Sequence, residues 1–248
     1  MARARRRRLG YQVSGALAGV FFVWVVLWSP LLMVKDVTLE GGSHTTTEDV
    51  ERAAGLDEKD NLLFVKSAEV AEKVAALSWV KSVDVDRILP STVRIRIVER
   101  EPAMVLTSEA GSWTLDGSGR ILEFGGEGRG LPVLAASELG DLTPGDTISS
   151  LSVRAAVRAL GSMPVELREK VKAAFAPTSE RISFTLEGGL LVRYGSADEL
   201  RDKHEVVMAL LERLKQEPTP ATYIDVRVPS NPALANPGET PAEETLTD

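Results

Sequence analysis

Groups able to do covalent or redox chemistry are scarce in this sequence. Its 248 residues include no cysteine, which excludes thiol nucleophiles, thiolate metal sites and disulfides together. Histidine occurs only at His44 and His204, too few for a multi-histidine metal site. His44 falls in a turn before a helix start and reads as structural. His204, between Lys203 and Glu205 on a helical stretch, reads as solvated. Asp57, Glu58 and Asp60 lack the order of an EF-hand loop and its closing glutamate. The loop FGGEGRG at 124–130 is not followed by Lys-Ser/Thr and does not lead from a strand into a helix, so it is no phosphate cradle. There is no G-x-S-x-G elbow and no recognisable Ser/Lys spacing. The expectation is a protein without catalytic centre, metal or cofactor.

The chemistry that remains is recognition through the backbone. Tyr223-Ile224-Asp225-Val226-Arg227-Val228 alternates with period two. Ile224, Val226 and Val228 share one face and should pack on a core, while Tyr223, Asp225 and Arg227 share the other and should face outward. A strand that precedes a tail rich in Pro, Asn, Glu and Thr reads as the edge of a sheet, with residues 229–248 disordered. The unpaired N–H and C=O groups of an edge can hydrogen-bond an extended partner segment, with alternate side chains setting specificity.

Charge says where such a strand is displayed. The chain carries 29 basic and 36 acidic residues, a net −7. Five arginines, Arg3, Arg5, Arg6, Arg7 and Arg8, precede everything else, and the first acid is Asp36. Without those five the remainder has 24 bases against the 36 acids. So acidic a body does not suit a nucleic-acid groove. From Leu9 to Val34 no residue is charged. A helix of that length spans about 39 Å, enough to cross a hydrocarbon core of about 30 Å. No small-x-small cleavage site follows its most apolar part, so it reads as an uncleaved signal anchor in the lipid bilayer, with Tyr11, Trp24 and Trp28 compatible with the interfaces. Arg5, Arg6, Arg7 and Arg8 put the N-terminus in the cytoplasm by the positive-inside rule, and all that follows the span outside it.

The elements beyond the span follow from periodicity. Val37 and Leu39 alternate in a first strand closed by Gly41-Gly42. Thr45-x-x-Glu48 has the form of a capping box, opening a short helix to Gly55. Ser67 opens a second helix with Val70, Val74 and Leu77 inward, and Phe64 and Trp79 read as core residues. Val83/Val85 and Val93/Ile95/Ile97 alternate in two strands separated by Pro90. The order is β-α-α-β-β. After Pro102, two strands flank Asp116-Gly117-Ser118-Gly119. Helices are expected over about 150–160 and 164–170, and a hairpin from Ile182 to Tyr194 turning at Gly188-Gly189. Ser196-x-x-Glu199 then opens a helix striped by Leu200, Val207, Leu211 and Leu214.

These segments together resemble the FtsQ/DivIB family of bacterial cell-division proteins. Asn61-Leu62-Leu63-Phe64-Val65 is similar to the family's NL-F-V segment, and Leu77-Ser78-Trp79-Val80 to its LPWV, with Ser78 in place of proline. Arg87-Ile88-Leu89-Pro90-Ser91-Thr92-Val93 is similar to R-x-W-P-x-T-V, and Glu99-Arg100-Glu101-Pro102 to ER-x-P. Leu115–Gly119, Leu131–Leu134, Arg181–Gly195 and Tyr223–Arg227 match the family's later hairpins and its closing YIDLR strand. Gly41-Gly42 departs from the family's frequent Gly-Asn.

The resemblance implies an α+β protein: a cytoplasmic tail at 1–8, a single transmembrane helix at 9–34, a POTRA-like domain at 35–102, a second mixed β-sheet domain with helices at 103–228, and the tail from 229. It implies a non-catalytic scaffold of the divisome in the cell membrane at the septum. Its expected partners are FtsB/FtsL-type coiled-coil membrane proteins, bound by strand addition to the last strand. By the same resemblance Arg227 pairs with an acid on the partner, Tyr223, Asp225, Val228 and Ser230 belong to the contact, and Arg181 is a second basic contact. A POTRA-type chaperone or translocation subunit with varied clients stays open on the residues alone, as does an anchored extracytoplasmic hydrolase.

Overall fold

The computed structural model describes residues 28–235 apart from 58, 127, 129, 137–138 and 217–220, together with positions 17, 19, 21, 24 and 25. Arg5, Arg6, Arg7 and Arg8, most of the expected span, and residues 236–248 lie outside the described residues. Among the described residues no helix is long and apolar enough to cross a membrane. The chain divides into two compact units, Met1–Glu99 and Arg100–Asp248.

The first unit builds β1 (Asp36–Glu40), α1 (Thr47–Ala54), α2 (Ser67–Ala75), β2 (Val80–Ile88) and β3 (Thr92–Glu99). The sheet order is β1-β3-β2, with β1 parallel and β2 antiparallel to the central β3. Alternation in β3 explains the layering. Val93, Ile95 and Ile97 are buried beneath the helices with Val50, Val70 and Val74. Arg94 and Arg96 lie on the opposite face, where Arg94 pairs with Glu40 at 3.2 Å and Arg96 bridges Asp84 and Asp86. That is the alternating pattern of a sheet with one covered face.

Three details differ from expectation. The capping box falls one residue later, with Thr46 and Asp49 as the reciprocal pair. Thr45 is already committed, because its buried backbone N–H donates to Glu99 Oε1 at 2.7 Å. Phe64 is exposed rather than core. The turn at 61–65 sends Leu62 and Val65 inward and leaves Leu63 and Phe64 outside. Val34, expected to close the membrane span, is buried in the core of this unit, after a short 3-10 turn at Pro30–Leu32.

The second unit is a nine-stranded mixed sheet with its helices packed on the core. Its strands are β4 (Pro102–Ser108), β5 (Gly111–Asp116), β6 (Ile121–Phe124), β7 (Val133–Ala135), β8 (Val171–Phe175), β9 (Ile182–Leu186), β10 (Leu191–Gly195), β11 (Tyr223–Asp225) and β12 (Ala233–Ala235). In space they run β12-β11-β10-β9-β8-β7-β4-β5-β6. The helices are α3 (Leu151–Gly161), α4 (Val165–Arg168) and α5 (Leu200–Gln216). Ile182, Phe184 and Leu186 of β9 are buried against Val157 and Leu160 of α3 in one continuous core. The Asp116 turn closes as its composition suggests, since the carboxylate accepts the backbone N–H groups of Ser118 and Arg120 and an ion pair from Arg100 at 2.8 Å.

Helix α5 starts at Leu200, and Ser196 is not its cap. The reason is Lys203, which is buried and donates Nζ to the carbonyls of Tyr194 and Ser196, both at 2.9 Å. A buried ammonium needs acceptors, and this turn supplies them. His204, expected in solvent, is buried beside it. Its Nδ1 lies 3.0 Å from the Tyr194 hydroxyl and its Nε2 3.0 Å from the Ser162 hydroxyl. Ser162 gives its own proton to the Ala159 carbonyl, so Nε2 donates and Nδ1 accepts from Tyr194.

Candidate functional site

Strand β11 is a three-residue element, shorter than the six-residue alternation suggested, and it is not an edge. On one flank Leu191, Val192 and Arg193 of β10 pair with Tyr223, Ile224 and Asp225 in parallel register. On the other, Ala235, Leu234 and Ala233 of β12 pair with the same three residues antiparallel. The ladder offered by Tyr223–Asp225 is therefore filled on both sides. Residues 229–235, expected to be disordered, make a turn in which Asn231 N donates to the Val228 carbonyl at 3.0 Å, and then form β12. The exposed row of the sheet moves one strand outward.

The strand ends at Asp225 for a local reason. Its carboxylate accepts the backbone N–H of Arg227 at 3.0 Å, two residues on, and Arg227 Nε at 3.0 and 3.1 Å. An aspartate bonded to the backbone two residues ahead closes a turn and takes the chain off its ladder. Pro229 follows, and has no N–H to continue one. Ile224 and Val226 are buried as the alternation requires. Val228 is not: it lies beyond the turn and is exposed, next to Pro229 and the exposed Ser230. Tyr223 is half-buried, with the Arg193 guanidinium 4.7 Å over its ring.

The two predicted basic contacts share one end of the sheet. Arg181 is exposed and directly precedes Ile182, which pairs with Gly195. Gly195 adopts φ +70°, and a Cβ there would stand 3.0 Å from Arg227 Cγ. Only glycine lets β10 turn at this point with the Arg227 stem lying against it. A shallow groove opens beside them, floored by Val206 and Ala209 of α5 with Val228 and Pro229, and rimmed by Glu199, Asp202 and Glu205.

The two ends of the nine-stranded sheet are unequal. The start of β6 is bonded on its outer flank by the segment at 145–147: Ile121 N donates to the Asp146 carbonyl and Gly145 N to the Ile121 carbonyl, both at 2.8 Å, and Arg120 bridges Thr147. Among the described residues nothing pairs with the outer flank of β12. Sequence reasoning missed β12. The signal was there as an apolar triplet, Ala233-Leu234-Ala235, between two Asn-Pro dipeptides that punctuate turns.

No group of three or more His, Asp or Glu side chains is placed to hold a metal among the described residues. In the first unit His44 stacks flat on the half-buried Trp79, with ring centroids 3.9 Å apart.

Two family descriptions match this architecture, one per unit. A POTRA domain of the FtsQ type matches residues 32–100, and the C-terminal domain of the cell division protein FtsQ/DivIB matches residues 103–227. The chain belongs to the FtsQ/DivIB family of cell division proteins. It is 27% identical over 195 residues to the cell division protein FtsQ of Corynebacterium glutamicum, covering 78% of this chain and 86% of that one. It is 30% identical over 210 residues to the FtsQ of Mycolicibacterium smegmatis, covering 85% of this chain and 59% of the longer relative. The major extracytoplasmic domain of DivIB from Geobacillus stearothermophilus aligns over 48% of this chain and 97% of its own length at 17% identity, with a TM-score of 0.33, too loose a superposition to carry further inference.

Proposed function

We propose that this chain is a membrane-anchored, non-catalytic scaffold of the division machinery that binds an FtsB/FtsL-type coiled-coil partner by strand addition at the outer flank of β12. The observation that carries the reading is a difference between the two sheet ends: the start of β6 is bonded to the segment at 145–147, and β12 has no described neighbour beyond it at any of its three residues. Proteins normally cover or charge an edge, and an uncovered one beside outward-facing side chains suits an extended partner segment. Arg227, Val228 and Ser230, in the turn that leads into β12, would then lie nearest the added strand, with Arg227 meeting an acid of the partner, whereas Arg181, at the start of β9, is separated from that strand by β10, β11 and β12 and falls outside the contact. Tyr223 and Asp225 act from behind, Tyr223 under Arg193 and Asp225 by holding Arg227. The uncharged run from Leu9 to the turn at Pro30–Leu32, beyond which Val34 belongs to the core of the first unit, serves as the anchor, with the arginine-rich start in the cytoplasm.

The test is a pulldown with the full chain from division-competent membranes, compared with Leu234→Pro. Proline removes a backbone donor from β12. One stoichiometric coiled-coil pair, lost in the proline variant while the buried Phe184–Tyr194 core keeps its near-UV signature, supports the reading. Equal recovery of that pair by the variant refutes docking at β12. A broad set of clients would identify a chaperone instead.

A further inference from the structure

Four large apolar side chains stand in solvent around the point where the chain enters the first unit. Leu31 is 66% exposed, Phe64 64%, Leu89 62% and Leu63 38%. They come from three segments, and hydrogen bonds tie those segments together at one place. Leu62 N donates to the Leu32 carbonyl at 2.7 Å, Val34 N to the Asp60 carbonyl at 2.9 Å, and Lys35 N to the Ser91 carbonyl at 2.9 Å. Met33 and Asn61 form an antiparallel bridge between the first two. The tip that carries Leu63 and Phe64 is fixed from both sides: Asn61 Oδ1 accepts Leu63 N at 2.9 Å, and Arg87 Nη1 donates to the Leu63 carbonyl at 3.0 Å. Leu62 and Val65 already fill the core, so the outward pair has no place inside.

Exposed apolar groups gathered at one spot mark an interaction surface. The occupant here is indicated by the chain itself. The run from Leu9 without a single charge ends at Val34, inside this cluster, and Trp28, also exposed, precedes Leu31 by less than one helical turn. Whatever surrounds that run therefore reaches Leu31, Leu63, Phe64 and Leu89 first. We propose that these four side chains form a collar that seats the first unit on the bilayer, dipping into the boundary between headgroups and acyl chains. This rests on the anchor reading above. The sequence beside the collar residues has no basic excess, with Lys35, Lys59 and Arg87 against Asp36, Asp57, Glu58 and Asp60. The contact is accordingly apolar and does not require anionic lipid, unlike a polybasic membrane site.

The absence of cysteine makes the test clean, because each introduced thiol is the only one. The full chain is placed in nanodiscs of phosphatidylcholine, and in others containing phosphatidylglycerol. Nitroxide labels are attached to Phe64→Cys and Leu89→Cys, with Glu72→Cys on the exposed side of α2 as the aqueous reference and Leu17→Cys as the reference within the anchor. The collar predicts that collisions with oxygen, relative to those with a polar nickel chelate, are several-fold higher at 64 and 89 than at 72, and equal in both lipids. Values at 64 and 89 that match 72, while 17 reports lipid, overturn the collar and leave the anchor standing. An aqueous signal at 17 overturns both. Shielding at 64 that arises only when a partner protein is added reassigns the surface to protein docking and refutes the lipid contact.

Discussion

Asp225 holds Arg227 by the side chain and the backbone at once. The carboxylate lies 3.0 Å from Nε through Oδ2 and 3.0 Å from the backbone N through Oδ1. The aspartate side chain is 14% exposed and the arginine side chain 56%. The pair uses Nε, and among the described residues the terminal nitrogens of the guanidinium make no hydrogen bond, which leaves them available to a partner carboxylate. Such a fork is suited to bidentate recognition, and prior orientation lowers the entropy cost of forming it.

Reversing the charge at Arg227 should therefore act on binding and little on folding. Arg227→Glu is expected to weaken partner affinity at least about tenfold, equivalent to about 1–3 kcal/mol for a lost interfacial pair. The melting temperature should stay within a few degrees of the parent, because the side chain is largely in solvent. Titration calorimetry alongside thermal melts separates the two. Equal affinities would remove Arg227 from the interface.

Glu99 makes a stability prediction for the first unit. Burial alone would raise its carboxyl, but the Ser43 hydroxyl and the backbone N–H groups of Ser43, Thr45 and His44 outweigh that and hold it well below the usual carboxylate range. A depressed folded pKa contributes stability that is present above the unfolded value and lost as pH falls through the folded one. Glu99→Ala should cost about 1–3 kcal/mol at neutral pH, since it orphans several donors in a half-closed loop. In denaturant titrations at falling pH, the difference between parent and variant should shrink only below about pH 4. A difference that already vanishes near pH 6 would contradict this assignment.

His204 predicts a second pH dependence, in the other unit. Burial pushes its imidazole below the ordinary histidine value, and the same burial raises the Tyr194 hydroxyl and lowers the Lys203 ammonium. The native state keeps His204 neutral while the unfolded chain takes a proton below about pH 6.5. Stability is then complete above that value and falls as pH drops toward the folded pKa, by at most about 1.4 kcal/mol per pH unit. His204→Gln should flatten the profile between about pH 7 and 5, with His44→Ala as the control for the only other histidine. An unchanged slope in the His204 variant would place the titrating group elsewhere.

Much of this fold is legible in the residues because one face of each element is covered. Val93, Ile95 and Ile97, and likewise Ile182, Phe184 and Leu186, alternate cleanly for that reason. The failures share a different cause. His204 and Lys203 look solvated on a helix of charged residues, and only the packing of Tyr194, Ser162 and Ser196 around them turns them inward. Phe64 sits in a turn closed locally by Asn61 and held further by Arg87, over twenty positions away. The site is half legible. The alternation of Ile224 and Val226 survives, but composition hides β12, because three small apolar residues among Pro and Asn fold only when the flank of β11 is available. Tertiary pairing decides such short strands, and local propensity does not.

In the proposed complex a partner strand completes the sheet at β12. Amide hydrogen exchange of the full chain, with and without the purified coiled-coil pair, reads that ladder directly. Marked slowing at Ala233–Ala235 on partner addition, with Ile121–Phe124 at the opposite end of the sheet unchanged, is the predicted result. Exchange at Ala233–Ala235 that stays the same or accelerates in a saturated complex would contradict docking at β12, the latter by showing that the partner expels the strand instead of extending it.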